Sequence, residues 1–300
     1  MPNLMMSWQH GAELAAAFAV VGAGLRLGLR DSPRSRLASA FAIEASIIAA
    51  LYTVWQLAGS LSIMGSSDAL ARGAWIDRFE HTLHLPSERS VQGLVIGHPI
   101  IVQGMNLYYA SMHFGILFVF LLWLFLRHRD AYGGVRTTLA ISTLVCLAIS
   151  FIPVAPPRVL GGGIVDTAAQ YGQSVYGGAL SADQLAAMPS VHVLWAVTIG
   201  WYAVKIGRSR WRFLAPGHTV LTVFVVVATG NHWWLDGIVA VMVLVACVWA
   251  QYGIARAWHA LHPARPAAEP TTPGLEPAPT PTAAGSPTTA ESPTAESPVG

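Results

Sequence analysis

At 300 residues, 54% of them hydrophobic and 11% charged, the chain has the composition of an integral membrane protein rather than a soluble globule. Its mean hydropathy of +0.51 agrees. A net charge of +2 says little by itself and no nucleic-acid partner is expected, while two cysteines inside apolar runs, Cys146 and Cys247, exclude a disulfide framework or a cysteine-rich metal site.

The N-terminal stretch "MPNLMMSWQHG" contains no Lys or Arg. It lacks the basic region of a secretory signal peptide, which keeps the first apolar segment in the mature chain. A spanning helix needs roughly 17 to 25 mostly apolar residues. Seven segments meet or approach that length: 12 to 28, 38 to 62, 107 to 126, 137 to 154, 190 to 206, 213 to 229 and 234 to 254. The fifth and sixth are short, so the expected fold is all-α, a polytopic transmembrane helix bundle of six or seven spans. Its divisions are the N-terminal spans over 1–62, a long loop, the outer loop below, over 63–106, a larger helix bundle over 107–254 and a C-terminal tail over 255–300.

Glu44 lies well inside the second span and calls for a hydrogen-bond partner in the bundle, such as Gln56 or a tyrosine. In the outer loop, "DALARGAWIDRFEHTLHL" spaces Leu70, Trp75, Phe79 and Leu83 at close to a helical period, with Arg72, Asp77, Arg78 and Glu80 between them. That pattern predicts a helix lying in the membrane interface, acting either as a lid over an outer site or as a packing element. From about 263 onward Pro, Ala, Thr, Ser and Glu dominate, a composition that buries no core and predicts disorder.

Basic residues alternate between the loops. Arg26, Arg30, Arg34, Arg36, Arg127, Arg129, Arg136, Lys205, Arg208, Arg210, Arg212, Arg256 and Arg265 fall on one side, against Arg72, Arg78, Arg89 and Arg158 on the other. The positive-inside rule then places the N-terminus outside and the C-terminus in the cytoplasm of a multi-pass cell-membrane protein. In that orientation Arg158, His192, His232 and Asp236, from three separate stretches, gather at the outer ends of spans.

Each stretch suits part of a phosphate chemistry. In "FIPVAPPRVL", Pro153, Pro156 and Pro157 make a stiff exit from the fourth span and hold Arg158 at the surface, where its planar fork of donors suits phosphate oxygens. A snorkelling arginine against lipid headgroups is the plainer alternative. In "AAMPSVHVLWAV", Pro189 and Ser190 mark a helix start whose N–H groups favour an anion, and His192 sits in its first turn. In "NHWWLD", His232 and Asp236 stand four residues apart on one helix face. The carboxylate can take a hydrogen bond from one ring nitrogen and leave the other as a base or nucleophile. His192 would then protonate the leaving oxygen. No cofactor or metal is required.

"PVAPPRVL", "MPSVH" and "NHWWLD" resemble the three signature motifs of the type 2 phosphatidic acid phosphatase superfamily, and their "PPR" and "NHxxxD" forms resemble its inositol phosphorylceramide synthase-like branch. The resemblance covers about 107 to 254. It implies that His192 protonates the leaving group, that His232 forms a phosphohistidine assisted by Asp236, and that Arg158 and Ser190 bind phosphate. Two cations of the wider pattern are replaced, by Phe151 seven residues before Arg158 and by Val226 six before His232. Asn231, Tyr108, Tyr109 and His113 are candidates for the missing contacts.

The leading expectation is a metal-independent membrane enzyme that takes a lipid phosphate at the outer face, forms a phosphohistidine and passes the phosphoryl group to water or to a polar alcohol. Hydrolase and headgroup transferase, such as an inositol phosphoryl transferase, share the first step and remain open. Two other classes compete: a zinc site made by His192, His232 and Asp236, and a lipid-binding or transport protein without chemistry. A transporter site would more commonly lie at the bilayer midplane.

Overall fold

The computed structural model describes residues 7–28, 32–60, 66–174 and 182–262. The tail expected to be disordered from about 263 lies outside the described residues. The described residues up to Ala257 belong to one compact unit, and a second begins at Trp258. Among the described residues there is no strand, only an isolated bridge between Val154 and Ala186.

The helices are α1 (Trp8–Gly28), α2 (Pro33–Ser60), α3 (Ser66–Thr82), α4 (Glu88–Gly93), α5 (Pro99–Arg127), α6 (Arg129–Ser150), α7 (Pro157–Leu160), α8 (Thr167–Gln170), α9 (Val191–Ile206), α10 (Leu214–Ala228) and α11 (Trp234–Leu261). Six helical segments among the described residues are long and apolar enough to cross a membrane: Trp8–Gly28, Pro33–Val54, Pro99–Arg127, Arg129–Ser150, Arg210–Ala228 and Trp234–Leu261. Helix α9, at 16 residues, is the shorter seventh apolar helix. The protein is an all-α polytopic helix bundle.

Local chemistry sets several ends. Helix α5 begins at Pro99, eight residues before the apolar run suggested, because proline at the first helical position is already fixed in φ and lacks the N–H that would go unpaired there. Helix α9 begins where Ser190 caps it, its Oγ accepting from Val193 N–H at 3.4 Å.

Helices α1 and α2 form a hairpin held by small residues and hydroxyls, as expected where lipid removes the hydrophobic drive between helices. Ser39 Oγ donates to Gly22 O and Ser46 Oγ to Ala15 O, each at 2.7 Å. A Cβ on Gly22 would stand 2.8 Å from Ile43 Cγ1. Helices α5, α6, α9 and α11 share the main core, with Leu121, Leu124, Leu139, Leu194, Ile199, Ala240 and Leu244 buried. A second core joins α4, α5, α9 and α10 through Val91, Val102, Val193 and Val225.

Glu44 is partnered across the bundle rather than by Gln56. Tyr132 Oη donates to it at 3.1 Å and Arg136 forms an ion pair with it. Gln56 lies about three turns farther along α2 and donates to Tyr52 Oη instead. Helix α3 exposes Leu70, Trp75 and Phe79, with Leu83 just beyond its end, and buries Ala69, Ile76 and Glu80. Its buried side docks on the chain between α6 and α7: Ala155 N–H donates to Ala69 O at 3.0 Å and Arg72 Nε to Pro153 O at 2.6 Å.

Candidate active site

Backbone hydrogen bonds bring the three stretches together before any side chain is considered. Arg158 N–H donates to Gly230 O at 3.0 Å, and Ser190 N–H donates to Asp236 O at 3.1 Å. Trp233 Nε1 reaches back to Ala155 O at 2.9 Å. The turn from α10 into the third stretch passes through Gly230 at φ 68°. A Cβ there would meet Ile164 Cγ2 at 2.9 Å, so glycine answers both the left-handed backbone and the close approach.

His232 is 5% exposed. Its Nδ1 lies 2.8 Å from Ala187 O and 3.3 Å from Asp236 Oδ2. Both partners are acceptors, so a neutral ring carries its proton on Nδ1 and keeps the lone pair on Nε2. That Nε2 is buried with no hydrogen-bond partner. Asp236 is fully buried, and its Oδ2 also accepts Trp233 N–H at 2.8 Å, which fixes the carboxylate independently of the histidine.

The His192 ring centroid stands 5.5 Å from that of His232, and its Nε2 is likewise buried and unpartnered. Tyr109 stacks on His192 at 4.3 Å and 20°, with its centroid 6.4 Å from His232. His113 packs on the other part of the cluster, 4.3 Å from His192. Tyr108, a neighbour in sequence, turns away to hydrogen-bond His218 and Thr222 on α10.

Arg158 is not held at the surface: its side chain is 5% exposed. The proline-rich exit folds inward and α7 carries the guanidinium into the protein, where Nε donates to Asn231 Oδ1 at 2.9 Å and Nη1 to Asp166 Oδ2 at 3.1 Å. A small polar cavity is lined by Asn106, Tyr109, Arg158, Asp166, Gln173 and Asn231. Tyr109 is its shared wall with the histidine pair. Ser190 is fully buried at the start of α9, with its hydroxyl used as the helix cap.

A family model described as the PAP2 superfamily matches residues 74–250, from within α3 to within α11. The chain belongs to the PAP2 superfamily. Members of the superfamily are phosphatases and phosphotransferases, which makes an enzyme the supported class here. No curated protein and no solved structure matches the chain. As a PAP2 protein it has all three motif stretches inside the matched region, while α1 and α2 precede it.

Among the described residues no group of three or more His, Cys, Asp or Glu side chains is arranged to hold a metal ion. Several residues at the site gave no sequence signal. Asp166 stands alone in a glycine-rich loop, yet it caps α8 through Ala169 N–H and pairs with Arg158. Gln92, on α4, bridges Val165 and Ala228 O with both ends of its amide. Asn106 and Thr167 exchange hydrogen bonds at 3.1 and 2.8 Å and anchor α8 to α5. An internal polar pair at helical spacing would have pointed to none of these, since every partner is on another element.

Proposed function

We propose that this PAP2 protein is an integral membrane lipid-phosphate phosphatase or phosphotransferase that works through a phosphohistidine on His232. The observation that carries the reading is the His232 ring. Two acceptors hold its Nδ1 while Nε2 keeps an uncommitted lone pair beside a second histidine. In the first step Nε2 attacks phosphorus, the P–N bond forms, and the bond from phosphorus to the leaving oxygen breaks as His192 supplies its proton. The positive charge that develops on the imidazole is countered by Asp236. Arg158 and Asn231 hold equatorial oxygens, together with the N–H groups at the Ser190 helix start. In the second step an acceptor hydroxyl gives its proton to His192 and attacks phosphorus as the P–N bond breaks, which returns the lone pair to His232 Nε2 and restores both histidines. The basic loops support an outward-facing site with the N-terminus outside and the C-terminus in the cytoplasm.

Headgroup transfer to a polar alcohol, as an inositol phosphoryl transferase would perform it, is the second reading. It is supported by the carboxylate and amides of Asp166, Asn106 and Gln173, which offer acceptor and donor sites beside Arg158. Incubating the purified protein with lipid phosphates, with and without polyols and in EDTA, separates the readings. Free phosphate as the product indicates hydrolysis, and a phosphomonoester of the added polyol indicates transfer. Loss of activity in EDTA alone would overturn metal independence.

A further inference from the structure

The start of α11 holds more carboxyl groups than the proposed chemistry uses. Glu80 of α3 and Glu88 of α4 are 3% and 2% exposed, and Asp236 is fully buried. Glu80 Oε1 accepts Leu235 N–H at 2.7 Å, one residue before the aspartate. Trp234 Nε1 donates to Pro86 O at 2.7 Å, so the link between α3 and α4 is tied to the same turn. Glu88 stands beside Glu80 and, after burial, is the next cause that raises the Glu80 carboxyl. As bare carboxylates both would be acceptors, and Glu80 Oε2 and Glu88 Oε1 would then be buried without a donor. One proton between them resolves both orphans, since a protonated carboxyl donates to its neighbour.

The surrounding charges give no other solution. From α11 the facing groups are Asp236 and, beyond it, His232, which is engaged with that aspartate. On α3 itself Asp77 and His81 pair with each other, and Arg72 gives Nε to Pro153 O while its Nη2 is buried with no hydrogen-bond partner and makes no ion pair with either glutamate. Among the described residues no Lys, Arg or His forms an ion pair with Glu80 or Glu88.

We propose that Glu80 and Glu88 form a proton-sharing pair of positioning residues that fixes the start of α11 and thereby the His232–Asp236 dyad. The inference rests on the phosphohistidine reading for its effect on turnover, although not for the pair itself. Mechanically, Glu80 holds Leu235 N–H while Asp236 holds Trp233 N–H, so the first N–H groups of the catalytic helix are pinned by two carboxyls instead of one. Burial, reinforced by the bond to Glu88, pushes the Glu80 carboxyl up to about 9. A group whose folded value is raised contributes stability that is full below its unfolded value, declines above it, and is lost as pH rises through the folded value. The pair therefore keeps its proton at neutral pH and loses it on the alkaline side, where the bond between the two carboxyls gives way to repulsion that works against the position of the α11 start.

The test uses the full chain in detergent, comparing wild type, Glu80→Gln and Glu80→Ala from about pH 5 to about pH 10. Glutamine keeps an acceptor for Leu235 and a donor for Glu88 without a proton to lose. Turnover of a lipid phosphate by Glu80→Ala is expected to fall about tenfold in kcat with KM within about twofold, and Glu80→Gln to recover most of that loss. Wild type should lose activity on an alkaline limb centred near pH 9 that Glu80→Gln lacks. The thermal unfolding midpoint should decline in wild type as pH rises toward that value and stay flatter in Glu80→Gln. Diethylpyrocarbonate should modify His232 faster in Glu80→Ala than in Glu80→Gln. If glutamine is as damaging as alanine, or the alkaline loss persists unchanged in Glu80→Gln, the pair does not exist as proposed. A wild type inert on every lipid phosphate would sink the proposed function, and the unfolding and labelling comparisons would still decide on the pair. If Glu80→Ala does not fold, the pH profiles of Glu80→Gln against wild type decide alone.

Discussion

Asp236→Asn isolates the charge of the aspartate from its geometry. The amide oxygen can still accept Trp233 N–H, which now lies 2.8 Å from Oδ2, so the turn entering α11 should survive. Where a carboxylate alone orients a catalytic histidine, the same change costs about four orders of magnitude through the wrong tautomer. Here Ala187 O, at 2.8 Å, is closer to Nδ1 than Asp236 Oδ2 at 3.3 Å. The carbonyl still demands a proton on Nδ1, so the nucleophilic tautomer persists without the carboxylate. What remains to lose is one hydrogen bond between charged groups in the transition state, worth roughly 1.5 to 3 kcal/mol. Its 3.3 Å length points to the lower part of that range, and each 1.36 kcal/mol is about tenfold in rate. The expected kcat for Asp236→Asn on a lipid phosphate is therefore about ten- to a hundredfold below wild type. Asp236→Ala, which also orphans Trp233 N–H, should lose about 1 to 3 kcal/mol of stability as well. A drop of about ten-thousandfold in Asp236→Asn would refute the role given to Ala187 O.

Arg158→Lys replaces a fork that serves Asn231 and Asp166 at once with a point charge, so kcat/KM should fall about a hundredfold despite the retained charge, as steady-state kinetics can read. Asp166→Asn removes the carboxylate that shares the guanidinium with any incoming phosphate, and inorganic phosphate should then inhibit several-fold more tightly; weaker inhibition would count against Arg158 as the phosphate ligand. Gly230→Ala adds a Cβ at φ 68° and 2.9 Å from Ile164, which should cost about 1 to 3 kcal/mol in unfolding and lower kcat by shifting Asn231 and His232.

The sequence is most informative where a signal is local. Hydropathy over about twenty residues locates the apolar helices, and the Pro189–Ser190 pair locates the start of α9 because a cap is a contact of a few residues. The His232 and Asp236 spacing suggests one helix face; α11 begins only at Trp234, so His232 sits in the turn before it, and the contact forms across that turn instead. The Ala187 carbonyl has no residue identity to read, although it is the nearer partner of the histidine. The fate of Arg158 depended on whether the chain after α6 turns toward lipid or back onto α3, and composition favours neither. Glu44 called for a partner, but its choice of Tyr132 and Arg136 depends on how α2 packs on α6. Glu80 sits in a stretch whose exposed apolar stripe drew attention to the other face of α3. Its partner Leu235 is 155 residues away, and no periodicity links them.

The central claim is a covalent bond between phosphorus and His232. Rapid quenching of the protein with a radiolabelled lipid phosphate, followed by alkaline digestion and peptide mapping, tests it most directly. The account predicts an acid-labile, base-stable label on the peptide containing His232, absent in His232→Ala, and accumulating in His192→Ala with a substrate whose leaving group needs no proton. Turnover by wild type with no label trapped, or a label retained in His232→Ala, would contradict it.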